Sequence, residues 1–222
     1  MDQTPAPVPP ASQPPVKPLE SAGSTFFGEL FEFAWETVRV VLISLVIILP
    51  VRYYLIQPFF VKGSSMVPNF HDKEYVLVDK WTYRLGQPER GDVIIFRYPG
   101  NPKEYFIKRV IGLPGESVLV GNDNTVTVFN ERYPNGFKVA EAGYLPRENP
   151  TYCSGTSAWC GTKVLLEPNH YFVMGDNREH SSDSRFFGPV DRSYFAGLAW
   201  LRLWPLNKIS FIPRTEYPPV VQ

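Results

Sequence analysis

The sequence predicts a mainly β protein, in which an antiparallel β-sheet domain follows one N-terminal membrane-spanning helix. Short apolar segments alternating with period two recur after residue 58, turn signals separate them, and no long amphipathic helices lie between them. The chain has 222 residues, 44% of them apolar, which suffices for one substantial core but not for several large domains. We therefore divide it into a tail (1–24), an anchor (25–57) and a β-rich domain (58–222).

The tail begins MDQTPAPVPPASQPPVKP and is dominated by proline. Proline donates no backbone hydrogen bond, and this segment has few apolar side chains to bury, so we expect an extended, disordered chain. A plain spacer is the favoured role over a ligand for a proline-recognition domain.

The anchor begins with an amphipathic stretch up to Glu36 and continues as a mostly apolar run from Thr37 to Ile56. That run has about the 20 residues that a membrane span requires, and Arg39 and Arg52 can snorkel to its edges. Pro50 can kink the helix without excluding it from a bilayer. A single membrane anchor is therefore favoured over a buried helix or a cleaved signal peptide, and charge does not fix its orientation.

Eight segments carry the strand pattern of the β-rich domain. They are YVLVDKW (75–81), DVIIFRY (92–98), YFIKRVIGL (105–113), SVLVG (117–121), TVTVF (125–129), KVLLE (163–167), HYFVM (170–174) and LAWLRLW (198–204). Turn residues separate them, including a Pro114-Gly115 pair that suits a type II turn.

The two cysteines, Cys153 and Cys160, stand in the polar segment CSGTSAWC. Their spacing is not that of a redox pair, and no second pair completes a zinc site. A disulfide that closes a short loop is favoured, which would place the β domain in an oxidising compartment. Two unpaired thiols are the alternative.

Composition argues against several kinds of partner. Lys plus Arg and Asp plus Glu both number 22, so no basic excess suggests nucleic acid. The loop from Asp176 to Asp183 is rich in acids but lacks the glycine and the terminal glutamate of a calcium loop. We expect neither a metal nor a cofactor.

Two adjacent serines, Ser64 and Ser65, follow the anchor in VKGSSMVPNF. A serine hydroxyl becomes an effective nucleophile only when a base takes its proton. The chain has three histidines, His71, His170 and His180, of which His180 is a reasonable candidate because it lies in an Asp-containing loop.

Lys108 is the other candidate base. In YFIKRVIGL it shares a strand face with Phe106 and Val110, while Arg109 lies on the opposite face, so we expect one of the two cations to be buried. Burial favours a neutral lysine, whereas arginine does not deprotonate. A lysine with an exposed tip is the alternative that the strand pattern alone favours.

Four stretches occur in order along the chain: GSSMVP (63–68), RGDVIIF (90–96), FIKRVIGLPGE (106–116) and MGDNREHSSDSRFFGPV (174–190). Together they resemble the bacterial type I signal peptidases, which are membrane-anchored Ser/Lys proteases. The resemblance runs from about Phe59 to Trp204. It implies the antiparallel β-sheet catalytic domain of that family, behind one transmembrane helix.

The resemblance also implies roles for individual residues. The serine directly before Met would be the nucleophile, which is Ser65, and the lysine base would be Lys108. Ser181 would hydrogen-bond this lysine.

Further residues would support the site. Asp183 and Arg185 would form an ion pair with Asp176 nearby, and residues 90–92 (Arg-Gly-Asp) would shape the fold behind them. Gly63 stands where some members of the family carry an oxyanion-binding serine. The oxyanion would then bind the Ser65 backbone N–H and a second donor that the sequence does not identify.

The implied substrate carries small residues at the first and third positions before the cut. We expect Met66, Val76 and Val78 to line the pockets for these residues.

The implied function is that of a membrane-bound serine endopeptidase, which removes N-terminal signal peptides through an acyl-enzyme. Its partners would be exported preproteins and the lipid bilayer. Its location would be a bacterial plasma or internal membrane, with the catalytic domain on the extracytoplasmic side. The alternatives are a self-cleaving Ser/Lys protease of the repressor type and a non-enzymatic, membrane-anchored β module that binds a partner.

Overall fold

The computed structural model describes residues 22–146, 151, 153 and 157–215. The proline-rich tail up to residue 21 lies outside these residues. The chain forms two compact units, residues 1–48 and 49–222.

Helix α1 runs from Ala22 to Pro50. Within it, Gly28–Pro50 is long and apolar enough to cross a membrane, judged by length and composition. This stretch begins before the predicted Thr37 because exposed Phe31, Phe33 and Trp35 extend the apolar surface toward the N-terminus.

The helix also ends earlier than predicted. Pro50 is its last residue, and a π-helical turn, Val51–Leu55, follows before a strand begins at Ile56. Proline supplies no N–H for the helical hydrogen-bond ladder, which explains why regular α-helix stops at this point. The predicted boundary at residue 57 therefore falls inside the first strand.

The larger sheet of the second unit contains β1 (Ile56–Phe60), β2 (Tyr75–Asp79), β3 (Val93–Tyr98), β4 (Asn101–Gly112), β9 (His170–Met174), β10 (Val190–Asp191), β11 (Phe195–Trp204) and β12 (Ser210–Phe211). The smaller sheet contains β5 (Ser117–Val120), β6 (Val126–Phe129), β7 (Phe137–Lys138) and β8 (Lys163–Leu165). The strand orders are β1-β2-β11-β3-β4-β9-β10, with β12 on β11, and β7-β6-β5-β8. Two short helices, α2 (Thr82–Leu85) and α3 (Ser184–Phe187), connect strands.

The predicted antiparallel fold class is confirmed, since every strand pair is antiparallel. All eight predicted segments form strands. The sequence did not predict β1, because its residues continue the apolar run of the anchor. It also missed β7, β10 and β12, whose two residues each are too short to show alternation.

Apolar side chains pack in clusters on both faces of the larger sheet. Val93 and Ile95 pack with Ile107 in one apolar cluster, whereas Ile94 and Phe96 of the same strand pack in another. The second half of β4, from residue 107 onward, is therefore buried on both faces. This corrects the expectation that only one of Lys108 and Arg109 is buried, since each is only 3% exposed.

A third apolar cluster joins the two sheets. It combines the inward side chains of the smaller sheet, such as Val118 and Val128, with Ile111, Phe172 and Met174 from β4 and β9. The packing fixes β4 and β9 side by side, and the residues that follow β9 lead directly into the loop 175–183.

Candidate active site

Ser65 lies in the turn that connects β1 to β2. Gly63 opens this turn with φ +86°, a left-handed conformation that favours glycine, and its N–H donates to Asp72 Oδ1 at 2.8 Å. The turn is closed by the Val67 N–H, which donates to the Ser64 carbonyl at 3.1 Å. Local backbone bonds thus define the position of Ser65, which is half-buried.

Asn177 ties this turn to the loop after β9. Its backbone N–H donates to the Ser65 carbonyl at 2.9 Å, and its Nδ2 donates to the Ser64 carbonyl at 3.1 Å. Sequence reasoning assigned Asn177 no role, although its place in the MGDNR stretch was the available signal. Its two hydrogen bonds hold the peptide groups on both sides of Ser65.

Lys108 reaches Ser65 from β4. Its Nζ lies 2.8 Å from Ser65 Oγ, which is hydrogen-bond distance, and donates to the Ile107 carbonyl at 2.9 Å. The packing of both sheet faces makes the lysine buried, so the alternative of an exposed tip is wrong.

Burial sets the protonation state of this lysine. The loss of water around the amine lowers the pKa of Lys108 to about 8, the nearby charge of Arg185 acts in the same direction, and those of Asp183 and Asp176 oppose it. An ordinary lysine has a pKa of about 10.4. The neutral amine is therefore accessible near pH 8.

Two buried ion pairs surround Lys108. Arg185 and Asp183 pair through Nε–Oδ1 and Nη2–Oδ2 contacts of 2.8 Å each, which is the pair implied by the sequence. Asp176 pairs with Arg109 through contacts of 2.8 and 2.6 Å. Asp176 also accepts from Asn69 Nδ2 at 2.9 Å. These paired arginines compensate the negative charges of both aspartates close to the lysine.

The carboxyl of Asp183 stays ionised in this setting. Burial by itself would raise its pKa, but hydrogen bonds from Arg185, the charge of that arginine and the N–H of Gly175 outweigh burial and lower it. The Gly175 N–H donates to Asp183 Oδ2 at 3.0 Å, which links the ion pair to the end of β9.

Ser181 is buried beside this pair. Among the described residues its Oγ has no hydrogen-bond partner of good geometry, so the implied bond to Lys108 is not made in this structure. The lysine amine instead contacts Ser65 Oγ and the Ile107 carbonyl. The role of Ser181 stays a prediction.

Gly175 permits the close approach of the serines. A Cβ at this position would lie 2.2 Å from Ser181 Oγ and 2.4 Å from the Ser65 carbonyl oxygen. Only glycine leaves room for both, so this residue sets the spacing between the Ser65 turn and the loop after β9.

Arg178 is a supporting residue that sequence reasoning missed. Its side chain is buried, donates to the Gly175 carbonyl at 2.9 Å and the Tyr144 hydroxyl at 2.7 Å, and also contacts Glu141 and Thr151. Nothing in the MGDNR stretch separates such a buried arginine from a surface one. Apart from Gly175, these partners come from positions 141–151, far away in sequence.

Residues 90–92, which the family resemblance places behind the site, directly precede β3, and the Gly91 carbonyl accepts from Arg109 Nη1 at 3.0 Å. Arg90 pairs with Glu116 at 2.6 Å, and Gly91 adopts φ +93°. Asp92 accepts from the Tyr83 hydroxyl at 2.8 Å, and burial raises the pKa of Tyr83 above its ordinary value, aided by the charge of Asp92.

His180 lines the same cleft as Ser65, but no described hydrogen bond connects it to that serine. His180 is exposed, and its N–H donates to Asn177 Oδ1 at 3.2 Å. Within residues 22–146, 151, 153 and 157–215, no hydrogen bond joins a histidine to Ser65. Ser64 is exposed, and its hydroxyl makes no contact with Lys108 there.

Ser65 and Lys108 lie in a cleft of about 690 Å³. Apolar side chains from β1, β3 and β4 line it, among them Phe59, Ile95 and Ile107. Met66, Val76 and Val78 do not line it, which corrects the predicted substrate pockets. The three are buried in the core instead. Val76 and Val78 lie on β2, which is between β1 and β11 and alternates its side chains between core and surface, and Met66 joins the same cluster from the β1–β2 connection.

Cys153 and Cys160 are joined by a disulfide in this structure. Cys153 packs against the apolar cluster of the smaller sheet, as does Cys160. No three His, Cys, Asp or Glu side chains come together in a way that could hold a metal ion, as far as the described residues extend.

A serine hydroxyl beside a buried amine of lowered pKa is suited to nucleophilic acyl transfer. The neutral amine accepts the hydroxyl proton, and the oxygen attacks an acyl carbon. The fold and the site thus have the arrangement of a serine hydrolase whose base is lysine in place of histidine.

Comparison with known proteins identifies the family of this chain. A family model described as "Signal peptidase, peptidase S26" matches residues 34–204. Signal peptidase I of Pseudomonas fluorescens is 32% identical over 233 residues, covering 88% of this chain and 76% of that protein. Signal peptidase I of Bacillus licheniformis is 34% identical over 178 residues, covering 79% and 91%. A crystal structure of a signal peptidase I from Enterococcus faecalis V583 is 32% identical, covers 51% of this chain and 97% of its own, and has a TM-score of 0.39.

The family model and the sequence relatives show that this chain belongs to the signal peptidase family, peptidase S26. The chain is an enzyme of that family, a serine peptidase that removes signal peptides. The predicted family and activity are confirmed, and the two alternative functions are not supported.

Proposed function

We propose that Ser65 is the nucleophile and Lys108 the general base with which this peptidase removes signal peptides from exported preproteins. The observation that carries the proposal is the 2.8 Å distance between Ser65 Oγ and the buried Lys108 Nζ. Because Nζ also donates to the Ile107 carbonyl, a neutral amine has its lone pair available for the Ser65 proton.

The reaction proceeds by acyl transfer. Lys108 takes the proton of Ser65 as its Oγ attacks the scissile carbonyl, and the resulting ammonium then protonates the leaving amine. An acyl-enzyme on Ser65 remains. Neutral Lys108 next takes a proton from water as the water attacks the ester, and returns a proton to Ser65 Oγ as the signal peptide is released.

The Ser65 backbone N–H supplies one donor for the oxyanion. In the described part of the chain this N–H donates to no protein acceptor, whereas the N–H groups of Gly63 and Val67 in the same turn are engaged. Preorganised backbone donors stabilise the charge that develops on the carbonyl oxygen. The Asn177 bonds to the two serine carbonyls hold this N–H in place.

The substrate binds in the cleft as an extended chain. β1 is the first strand in the sheet order, so one of its edges is unpaired among the described residues, and Phe59 and Phe60 of β1 line the cleft. An extended peptide can add to such an edge through backbone hydrogen bonds. The apolar walls near Ser65 suit small side chains at the first and third positions before the cut.

Cleavage of a test preprotein by the detergent-solubilised chain tests this function. We expect one cut after a small-x-small sequence, located by sequencing the new N-terminus, and no cut when the residue directly before it is changed to a large one. Equal cleavage of both substrates would contradict the proposed specificity.

The pH dependence of kcat/KM should follow the neutral fraction of Lys108. The active form is deprotonated, so activity should rise as pH increases, with a midpoint near the pKa of about 8. A pH–rate profile of the purified enzyme measures this. A midpoint near the ~10.4 of free lysine, or a decline over the same range, would be incompatible with a buried neutral base.

We further propose that Gly28–Pro50 anchors the enzyme in a bacterial plasma or internal membrane, with the β domain on the extracytoplasmic side. The length and apolar character of this helix support the span. Function on exported preproteins, together with the Cys153–Cys160 bond, supports the orientation.

Alkaline carbonate should accordingly leave the protein in the membrane pellet, because only a spanning helix resists extraction. Protease added from the extracytoplasmic side should degrade the β domain and spare the proline-rich tail. Release of intact protein by carbonate would contradict the span, and loss of the tail alone would contradict the orientation.

A further inference from the structure

A second cleft of the β domain, of about 410 Å³, lies outside the catalytic machinery described above. Four of its lining residues are cations, Lys80, Arg84, Arg97 and Arg192, and none is an aspartate or glutamate. We propose that this basic cleft binds a phosphate group.

The four cations are not neutralised by the protein. Within residues 22–146, 151, 153 and 157–215, none of them forms a salt bridge. Six other arginines of the same domain each pair with a carboxylate: Arg90, Arg109, Arg178, Arg185, Arg202 and Arg214. Four like charges around one concave surface create a positive potential that a bound anion relieves.

The donor chemistry favours phosphate over a simple carboxylate. Three of the cations are arginines, whose planar guanidinium groups donate paired hydrogen bonds to phosphate oxygens. Arg192 is held in place by its bond to the Tyr83 carbonyl, and Arg97 Nε contacts the Tyr105 hydroxyl at 3.4 Å. The volume is near the lower end for ligand sites, which suits a small group rather than a large organic ligand.

The chain places this cleft close to the end of the apolar span. The guanidinium carbon of Arg84 lies 5.1 Å from the ring centre of Tyr54, and Tyr54 comes only four residues after Pro50. Four residues reach at most ~14 Å. Exposed Trp81 and Leu85 flank the cations on and beside α2, as expected of a surface near lipid. The phosphate of an anionic lipid headgroup is therefore the favoured source, and free phosphate is the other.

The test is calorimetric titration of the full chain in a neutral detergent. The probes are a short-chain phosphatidylglycerol and inorganic phosphate. The variant replaces Lys80, Arg84 and Arg97 together with glutamine, which removes three exposed or half-exposed cations. A matched control replaces Lys138 and Lys163 of the smaller sheet and Arg132 of its β6–β7 connection with glutamine, so the net charge changes equally.

We expect the wild type and the control to bind the lipid alike, and the triple variant to bind about a hundredfold more weakly, since each basic residue near the surface contributes roughly fivefold. Arg84→Gln alone should weaken binding about fivefold, and it decides the matter if the triple variant does not fold. Preprotein cleavage in detergent should be unchanged in all variants.

The two probes distinguish the sources. Binding of the lipid without inorganic phosphate assigns the cleft to a headgroup, whereas binding of inorganic phosphate without the lipid assigns it to the free anion. The proposal is overturned if the wild type binds neither probe, or if the control loses as much affinity as the triple variant.

Discussion

Ser65→Ala should abolish preprotein cleavage, while Ser64→Ala should retain most of it. Among the described residues, the Ser65 hydroxyl is the one that forms a hydrogen bond with Lys108, so its removal takes away the group that would form the acyl-enzyme. We expect kcat to fall by roughly 10⁴-fold or more, the scale seen when a nucleophile is deleted from such sites.

Ser64→Ala is the matched control because it deletes the neighbouring hydroxyl of the same turn. The hydrogen bonds of Ser64 to Val67 and Asn177 use its backbone carbonyl, which alanine keeps. Single-turnover cleavage of a test preprotein measures both variants. Comparable losses in the two would refute the assignment of Ser65.

Lys108→Arg should inactivate the enzyme although the positive charge is kept. A guanidinium does not give up its proton near neutral pH, so Ser65 would lose its base. Loss of a general base costs roughly 10²–10⁴-fold in rate. Steady-state cleavage, with thermal unfolding to confirm that the variant is folded, measures this effect.

Two controls sharpen this result. Lys163→Arg makes the same replacement at an exposed strand position outside the cleft and should leave the rate unchanged. His180→Ala removes the rival base and should also retain activity, since that side chain makes no described contact with Ser65. Near-normal turnover by Lys108→Arg, with loss of activity in His180→Ala, would show that His180 and not Lys108 is the general base.

The sequence predicts the β architecture well because its longer strands alternate clearly and are separated by turns. It could not place β1, since Pro58 and two phenylalanines continue an apolar run that reads as membrane anchor. It could not place the two-residue strands, whose pairing depends on partners far away in sequence. Burial of both Lys108 and Arg109 also escaped prediction, because alternation along one strand does not show that both faces are covered.

The candidate dyad was named from local motifs, yet its surroundings depend on tertiary contacts. Asn177 and Arg178 act through bonds to the Ser65 turn and to residues 141–151. The MGDNR stretch marks the two residues, but it does not show these contacts. The prediction that Val76 and Val78 line the substrate pockets differs from the structure for a related reason. Their alternation showed that they share a face but not whether that face borders the cleft or the core.

The most direct test of the Ser65–Lys108 account is to map the site that a serine-directed acylating probe modifies. The solubilised enzyme is treated with the probe at alkaline and at acidic pH, digested, and its peptides are analysed by mass spectrometry. The account predicts one labelled residue, Ser65, with labelling that grows as Lys108 loses its proton and disappears in Lys108→Arg. Labelling at Ser64 or another serine, or undiminished labelling of Ser65 in Lys108→Arg, would contradict it.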